Sequence, residues 1–172
     1  MIKEVIAIIG GAGNVGNGAV TYLLKNTDFQ IVVGYFSKKP HIPQIYKERV
    51  KLKKVNVYDN KELCAFCEDV SVIVNCAGPS SEIQERIVQR CIEKDLPYVD
   101  VAGDDKLFAG IKSLLYENQK SITCVLGAGV YPGLTECMIG YAKAVFGEKI
   151  EELKIFFGGN GVFSKNAIMD IL

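Results

Sequence analysis

Several things are scarce in this chain. Histidine occurs once in 172 residues, as His41, between Pro40 and Pro43. That setting reads as a surface loop residue rather than a catalytic base. Lys plus Arg number 20 and Asp plus Glu number 20, so the net charge is zero. Zero net charge offers little to nucleic acid or to an anionic membrane, and neither is expected as a partner. No apolar run approaches the ~20 residues that cross a bilayer. Lys3 and Glu4 precede the short apolar run Val5 to Ile9, which is too short and too early for a secretory signal. There is no internal repeat and no low-complexity linker. Cysteine is the exception, with six residues at Cys64, Cys67, Cys76, Cys91, Cys124 and Cys137. Cys76, Cys91 and Cys124 stand in apolar surroundings, which reads as reduced thiols in a cytoplasmic protein. Cys64 and Cys67 make a C-x-x-C with no second pair and no histidine nearby, so the expectation is two positions on one helix and no metal.

What is present suffices for one compact domain, since 49% of the residues are hydrophobic and 23% charged. The most informative stretch is Ile8-Ile9-Gly10-Gly11-Ala12-Gly13-Asn14-Val15-Gly16-Asn17-Gly18. An apolar run leads into it and an amphipathic run, Asn17 to Lys25, leads out. Strand, glycine turn and helix in that order form the first unit of a dinucleotide-binding fold. Gly10 would let the chain turn off the strand. Gly13 would let the backbone approach a pyrophosphate, and Gly16 would let helix and strand pack closely. Gly11, Gly13 and Gly16 offer the alternative G-x-G-x-x-G register. The helix start presents N–H groups and the positive end of its dipole to the phosphates. A glycine turn that merely joins a strand to a helix is the plainer alternative, and the flanking runs weigh against it. No Lys-Ser or Lys-Thr follows, so a mononucleotide P-loop is excluded.

Strand-like runs alternate with helix-like ones along the chain. The expected fold is α/β, a Rossmann-type doubly wound parallel sheet in the order 3-2-1-4-5-6. Strands are predicted over 2–9, 30–36, 50–57, 70–76, 97–101 and 122–126, with a last strand-like run over 150–157. The first helix ends near Asn26, and a short turn of helix covers 45–49. Asp59-Asn60 starts the next helix. Ser80 or Ser81 caps another, with Ile83, Ile87, Val88, Cys91 and Ile92 at helical spacing. Asp104 and Asp105 read as helix-start residues for 106–118. A final helix over 134–146 carries Pro132 in its first turn, and Ser164 is predicted to cap a last segment, 165–172. The expected organisation is a dinucleotide-binding domain over 1–157 and the start of a second, substrate or dimerisation, domain over 158–172.

The end of the second strand discriminates between cofactors. A fold that holds NAD commonly places a carboxylate there, on the ribose 2′-hydroxyl, about 20 residues past the glycines. This chain has Gly34-Tyr35-Phe36-Ser37-Lys38-Lys39. Without a carboxylate, and with a hydroxyl and lysines that can hold a 2′-phosphate, NADP is favoured over NAD. An ordinary solvated basic turn is the alternative. Asn75-Cys76-Ala77-Gly78-Pro79 follows the fourth strand with small residues that leave room for a nicotinamide ribose. Asp100 ends the fifth strand, where strand tips face the ligand crevice. Gly127-Ala128-Gly129-Val130-Tyr131-Pro132-Gly133 is a second glycine-rich turn, from which Tyr131 can reach into that crevice.

Four segments together resemble the nucleotide-binding half of the saccharopine dehydrogenase family: IIGGAGNVGNG, VIVNCAGP, YVDVAGD and GAGVYPGLTE. The likeness runs from residue 3 to about 160. It implies a nicotinamide-dependent oxidoreductase that transfers hydride to or from a carbon–nitrogen bond, an imine or secondary amine, or a related substrate. By position it places Gly10, Gly11, Ala12, Gly13, Asn14, Val15 and Gly16 around the pyrophosphate, and Ser37 and Lys38 at the adenosine ribose or its phosphate. Asn56 stands where relatives have an aspartate near the adenine. Asn75, Ala77, Gly78 and Pro79 would line the nicotinamide side, with Asp100, Tyr131 and Pro132 at the substrate entrance. The chain departs from the family where relatives carry an arginine after the second strand, and where glutamate-type members carry an acidic residue at the position of Tyr131. Family enzymes also have a second α/β domain. The apolar tail Ile168, Met169, Ile171 and Leu172 has no partner in this sequence, so a fragment is preferred over a small domain that pairs through that edge as a homodimer.

Hydride transfer to a substrate carbon also needs a proton delivered to the nitrogen or carbon beside it, and Tyr131 and Asp100 are the candidates for its donor. The contrasting expectation is a non-catalytic module that senses NADP redox state and would need the glycines but neither of those two residues. The expected partner is a small amino-acid-like or imine-like substrate.

Overall fold

The computed structural model describes residues 4–147, 150–156, 158 and 168. Six strands form one sheet: β1 (Val5–Ile9), β2 (Gln30–Tyr35), β3 (Val50–Lys54), β4 (Val72–Asn75), β5 (Tyr98–Asp100) and β6 (Cys124–Val125). The order is β3-β2-β1-β4-β5-β6 and every pairing is parallel. A parallel sheet covered on both faces needs strands that are apolar on both sides. Ala7, Ile8 and Ile9 of β1 and Ile31, Val32 and Val33 of β2 are buried accordingly. β3 reads VKLKK, with Lys51 and Lys53 on either side of Leu52 and Lys54 at its end, and lies at an edge.

The helices are α1 (Asn14–Asn26), α2 (Asn60–Phe66), α3 (Ser80–Ile83), α4 (Arg86–Glu93), α5 (Asp105–Glu117) and α6 (Leu134–Phe146), with a 3₁₀ turn over Gln44–Arg49. Two apolar clusters form. In one, α1 sets Val20 and Leu24 against Ile8, Ile31 and Val33. In the other, Leu63 and Phe66 of α2, Ile87, Val88, Cys91 and Ile92 of α4, and Leu107 and Ile111 of α5 meet Ala7, Ile9, Ile73 and Tyr98. Each such aliphatic side chain contributes about 1.5–3 kcal/mol when fully buried. Asp59 caps α2 through the N–H groups of Lys61 and Glu62, and Asp104 caps α5 through that of Leu107. Among the described residues no helix is long and apolar enough to cross a membrane.

Several expectations need correction. α1 starts at Asn14, so the glycine motif itself supplies the first turn. The helix predicted from Ser80 or Ser81 is two helices, broken at Gln84, which has φ +47°. The side chain of Gln84 folds back onto the carbonyls of Ser80 and Ser81 and closes α3. The N-cap of α3 is Pro79, and Ser80 lies inside the helix. Pro132 precedes Gly133, the N-cap of α6, and is not in its first turn. Residues 150–156 form no strand. A strand requires a hydrogen-bonded neighbour, none of the ladders includes this segment, and Phe156 is 90% exposed. The predicted final segment over 165–172 and its cap Ser164 lie outside the described residues, apart from Ile168.

Candidate functional site

The strand order reverses between β1 and β4, and the crevice at such a point opens at the carboxyl ends of the strands. Two loops meet there. Ile9 pairs in register with Asn75, and the N–H of Cys76 donates to the Ile9 carbonyl at 2.9 Å. Gly10 adopts φ +74°, and a Cβ on it would lie 2.6 Å from the backbone nitrogen of Ala77. Only glycine meets both demands. Gly16 brings α1 onto the turn, since a Cβ there would come within 2.3 Å of the Gly10 carbonyl oxygen. Gly11 donates to the Gly34 carbonyl at 2.9 Å and ties the turn to β2. Gly13 differs from these. It is exposed, has an ordinary φ of −76°, and a Cβ on it would meet only the Gly10 carbonyl oxygen, at 3.3 Å. Ala12 is half-buried, and Asn14 and Val15 open the first turn of α1 at the surface. That turn carries no acidic side chain. The result is an open cradle of backbone at a helix N-terminus, which suits a phosphate group.

The second wall is built on the ends of β4 and β5. Asn75 and Asp100 are paired in register and each is 2% exposed. Asn75 Nδ2 donates to Asp100 Oδ2 at 3.0 Å, and the N–H of Ala77 donates to Asn75 Oδ1 at 3.0 Å. The N–H of Ala102 donates to Asp100 Oδ1 at 2.9 Å, and the Tyr98 hydroxyl donates to Asp100 Oδ2. Burial, then the charge of Asp100, pushes the Tyr98 phenol up. Burial followed by the same charge pushes the Cys76 thiol up to about 11. Gly78 and Pro79, joined by a cis peptide bond, carry the loop into α3.

The outlying expected residues are spread around this core. Ser37 and Lys38 are exposed just past β2. Asn56 sits after β3, where its Oδ1 accepts from the N–H of Tyr58 at 3.0 Å and its own N–H donates to Glu62 Oε2 at 2.7 Å. Tyr131 is 76% exposed, in a loop with a cis Tyr131-Pro132 bond. The carbonyl of Asp100 and the N–H of Ala128, at 2.9 Å, tie this loop to β5. Glu136 accepts from the N–H of Gly133 and the hydroxyl of Thr135, and the Thr135 bond foremost holds its carboxyl below its usual value. A separate open groove of about 760 Å³ runs beside β6, between Phe108 of α5 and Leu134 of α6. No residue of the Gly10–Gly16 turn lines it. One residue was missed from sequence. Tyr98 is two positions from Asp100, a spacing that puts both on one face of a strand and so signals the contact.

The sheet order, the glycine turn against the β4 loop and the helix N-terminus over them define a Rossmann-type dinucleotide-binding domain. Residues 6–125 match the family described as saccharopine dehydrogenase NADP binding domain, and the chain belongs to that family. No match is found among curated proteins. Among solved structures the chain is similar to apo histidine-tagged saccharopine dehydrogenase (L-Glu forming) from Saccharomyces cerevisiae. The TM-score is 0.67 at 17% identity, over 83% of this chain and 31% of that one. It is also similar to a short-chain dehydrogenase/reductase (wide type) from Veillonella parvula DSM 2008 in complex with NADP, with TM-score 0.54 and 19% identity, over 73% of this chain and 69% of that one. Vestitone reductase from alfalfa (Medicago sativa L.) gives TM-score 0.55 and 12% identity, over 72% and 56%. At these identities the likeness is one of fold.

Proposed function

We propose that this chain is the cofactor-binding part of a cytoplasmic NAD(P)-dependent oxidoreductase of saccharopine dehydrogenase type, with NADP as the preferred cofactor. The observation that carries this is the backbone cradle at the strand-order reversal, where Gly10 backs onto Ala77 and Gly13 and Gly16 back onto Gly10. Gly10 to Gly16 would hold the pyrophosphate, and Ser37 and Lys38 the 2′-phosphate. Asn56 would face the adenine, and Asn75, Ala77, Gly78 and Pro79 the nicotinamide side. When bound, the nicotinamide supplies or accepts a hydride at its C4. The protein's part is to orient that ring and to place a proton donor beside a C–N bond of an imine or secondary amine. Tyr131, exposed and free to approach a substrate, suits the donor role. Asp100 does not, because its carboxylate is buried and accepts from three donors. Calorimetric titration tests the cofactor assignment: NADPH is expected to bind at least about tenfold tighter than NADH, a difference of about 1.4 kcal/mol. Tighter NADH binding would overturn the choice of NADP, and absence of both would remove the site.

The burial of Asp100 also favours a second reading, a non-catalytic NADP-sensing module, since of the two donors expected from sequence it leaves Tyr131. Tyr131→Phe in the full-length protein separates the two, because an enzyme loses rate while a sensor keeps cofactor-dependent association. A homodimer through the region after residue 150 belongs to either reading. It is supported by the exposure of Ile155 and Phe156 and of Met138, Tyr141 and Phe146 on α6. Sedimentation equilibrium is expected to give twice the chain mass, and the mass of one chain at all concentrations would exclude it.

A further inference from the structure

We infer that Asp100 is a positioning residue that orients the nicotinamide end of the site through Asn75, an inference that rests on the dinucleotide-binding role proposed above. An asparagine amide can sit either way round, and its partners decide which. Asp100 offers only acceptor oxygens to its surroundings. Asn75 Nδ2 donates to one of them at 3.0 Å, and this turns Asn75 Oδ1 toward the N–H of Ala77, also at 3.0 Å. Tyr98 and Ala102 donate to the same carboxylate and hold it in place. Tyr98 is 0% exposed and Asn75 and Asp100 are 2% exposed, so solvent has little access to replace any of these bonds. The Cys76–Ala77 peptide is also what a Cβ on Gly10 would strike, with the nitrogen of Ala77 at 2.6 Å and the carbonyl of Cys76 at 2.7 Å. A chain of contacts therefore runs from the tip of β5, through the tip of β4, to the glycine turn, and fixes the loop that would face the nicotinamide.

Asp100→Asn replaces an acceptor with a donor at unchanged size. With its one oxygen turned to the N–H of Ala102, the new amide sets its NH₂ against Asn75, which then presents its own oxygen to residue 100 and its NH₂ to the N–H of Ala77, a repulsive pair; with that oxygen turned to Asn75 and Tyr98, its NH₂ opposes the N–H of Ala102. The loops after β4 and β5, on the nicotinamide side, should feel this, and the adenosine half of the cleft, beyond β2, should not. The experiment compares the affinities of Asp100→Asn and the parent chain for NADPH and for 2′,5′-ADP, which carries the adenosine half alone. NADPH binding is expected to weaken about tenfold while 2′,5′-ADP binding stays within about twofold of the parent, an affinity change of under half a kcal/mol. A purely structural role would lower both together. Asn75→Ala, which removes the acceptor for Ala77, should give the same selective loss and serves if Asp100→Asn does not fold. Equal losses for both ligands, or undiminished NADPH binding, would overturn the inference. If the parent chain binds neither ligand, the dinucleotide-binding role itself fails and this role of Asp100 falls with it.

Discussion

Two glycines three residues apart are expected to respond to alanine in opposite ways. At Gly16 the new methyl would press into the Gly10 carbonyl oxygen at 2.3 Å, inside a packed helix–turn contact. Gly16→Ala should cost on the order of 1–3 kcal/mol of stability and weaken cofactor binding with it. At Gly13 the backbone already has φ −76° and the methyl would meet one oxygen at 3.3 Å. Gly13→Ala should leave stability within about 1 kcal/mol of the parent, yet reduce NADPH affinity because the methyl occupies the approach to the cradle. Urea unfolding and calorimetry on both variants check this, and a Gly13→Ala chain that binds like the parent would sink the cradle. These glycines were legible in the sequence because their spacing encodes backbone demands. The burial of Asp100 was not. A strand-end aspartate looks the same on paper whether it faces a crevice or a tyrosine, and only the i, i+2 spacing from Tyr98 hinted at the second.

At the scale of elements, the helix starts with aspartate caps were readable, because Asp59 and Asp104 satisfy their caps locally. The breaks were not. Gln84 closes α3 with its own side chain, and no propensity marks glutamine for φ +47°. Residues 150–156 carry a strand-like pattern, but the pattern does not supply a neighbouring ladder. Arg49 shows the same limit of local signals. Its guanidinium donates to the carbonyls of Leu24 and Thr27 at the end of α1 and to that of Phe29 before β2, and so joins the 3₁₀ turn to both. Hydrogen bonds from a charged group are worth about 1.5–3 kcal/mol each when their partners would be left unsatisfied. Arg49 is only partly buried, so Arg49→Ala is expected to cost about 2 kcal/mol in all. Arg49→Lys should recover less than half of that, because an ammonium cannot span three carbonyls as a planar fork does. Recovery of full stability by lysine in urea unfolding would show that charge alone matters there.

For the whole molecule, the sheet order was legible because alternating strands and helices with right-handed crossovers leave few arrangements. A thiol and a buried phenol set a pH dependence that composition does not reveal. The Cys76 thiol titrates at about 11 in the folded chain against a reference of 9.0. A raised folded value stabilises fully below pH 9, and that contribution is lost as the pH climbs toward 11, because the unfolded chain gives up its proton first. The raised Tyr98 phenol acts in the same direction above pH 10. Stability should therefore fall between pH 9 and 11, with on the order of 2 kcal/mol due to Cys76. Cys76→Ala should show a shallower fall, and an unchanged slope in that variant would contradict the assignment.

The central claim is that a dinucleotide lies across the Gly10–Gly16 turn and the loop after β4. The most direct measurement is the set of backbone amide resonances of the chain titrated with NADPH. The largest shifts are expected at Gly11, Gly13, Gly16 and Ala77, with smaller ones at Ser37 and Lys38. Shifts gathered instead at Phe108, Gly129 and Leu134, along the groove beside β6, would place the ligand elsewhere and contradict the site assigned to it.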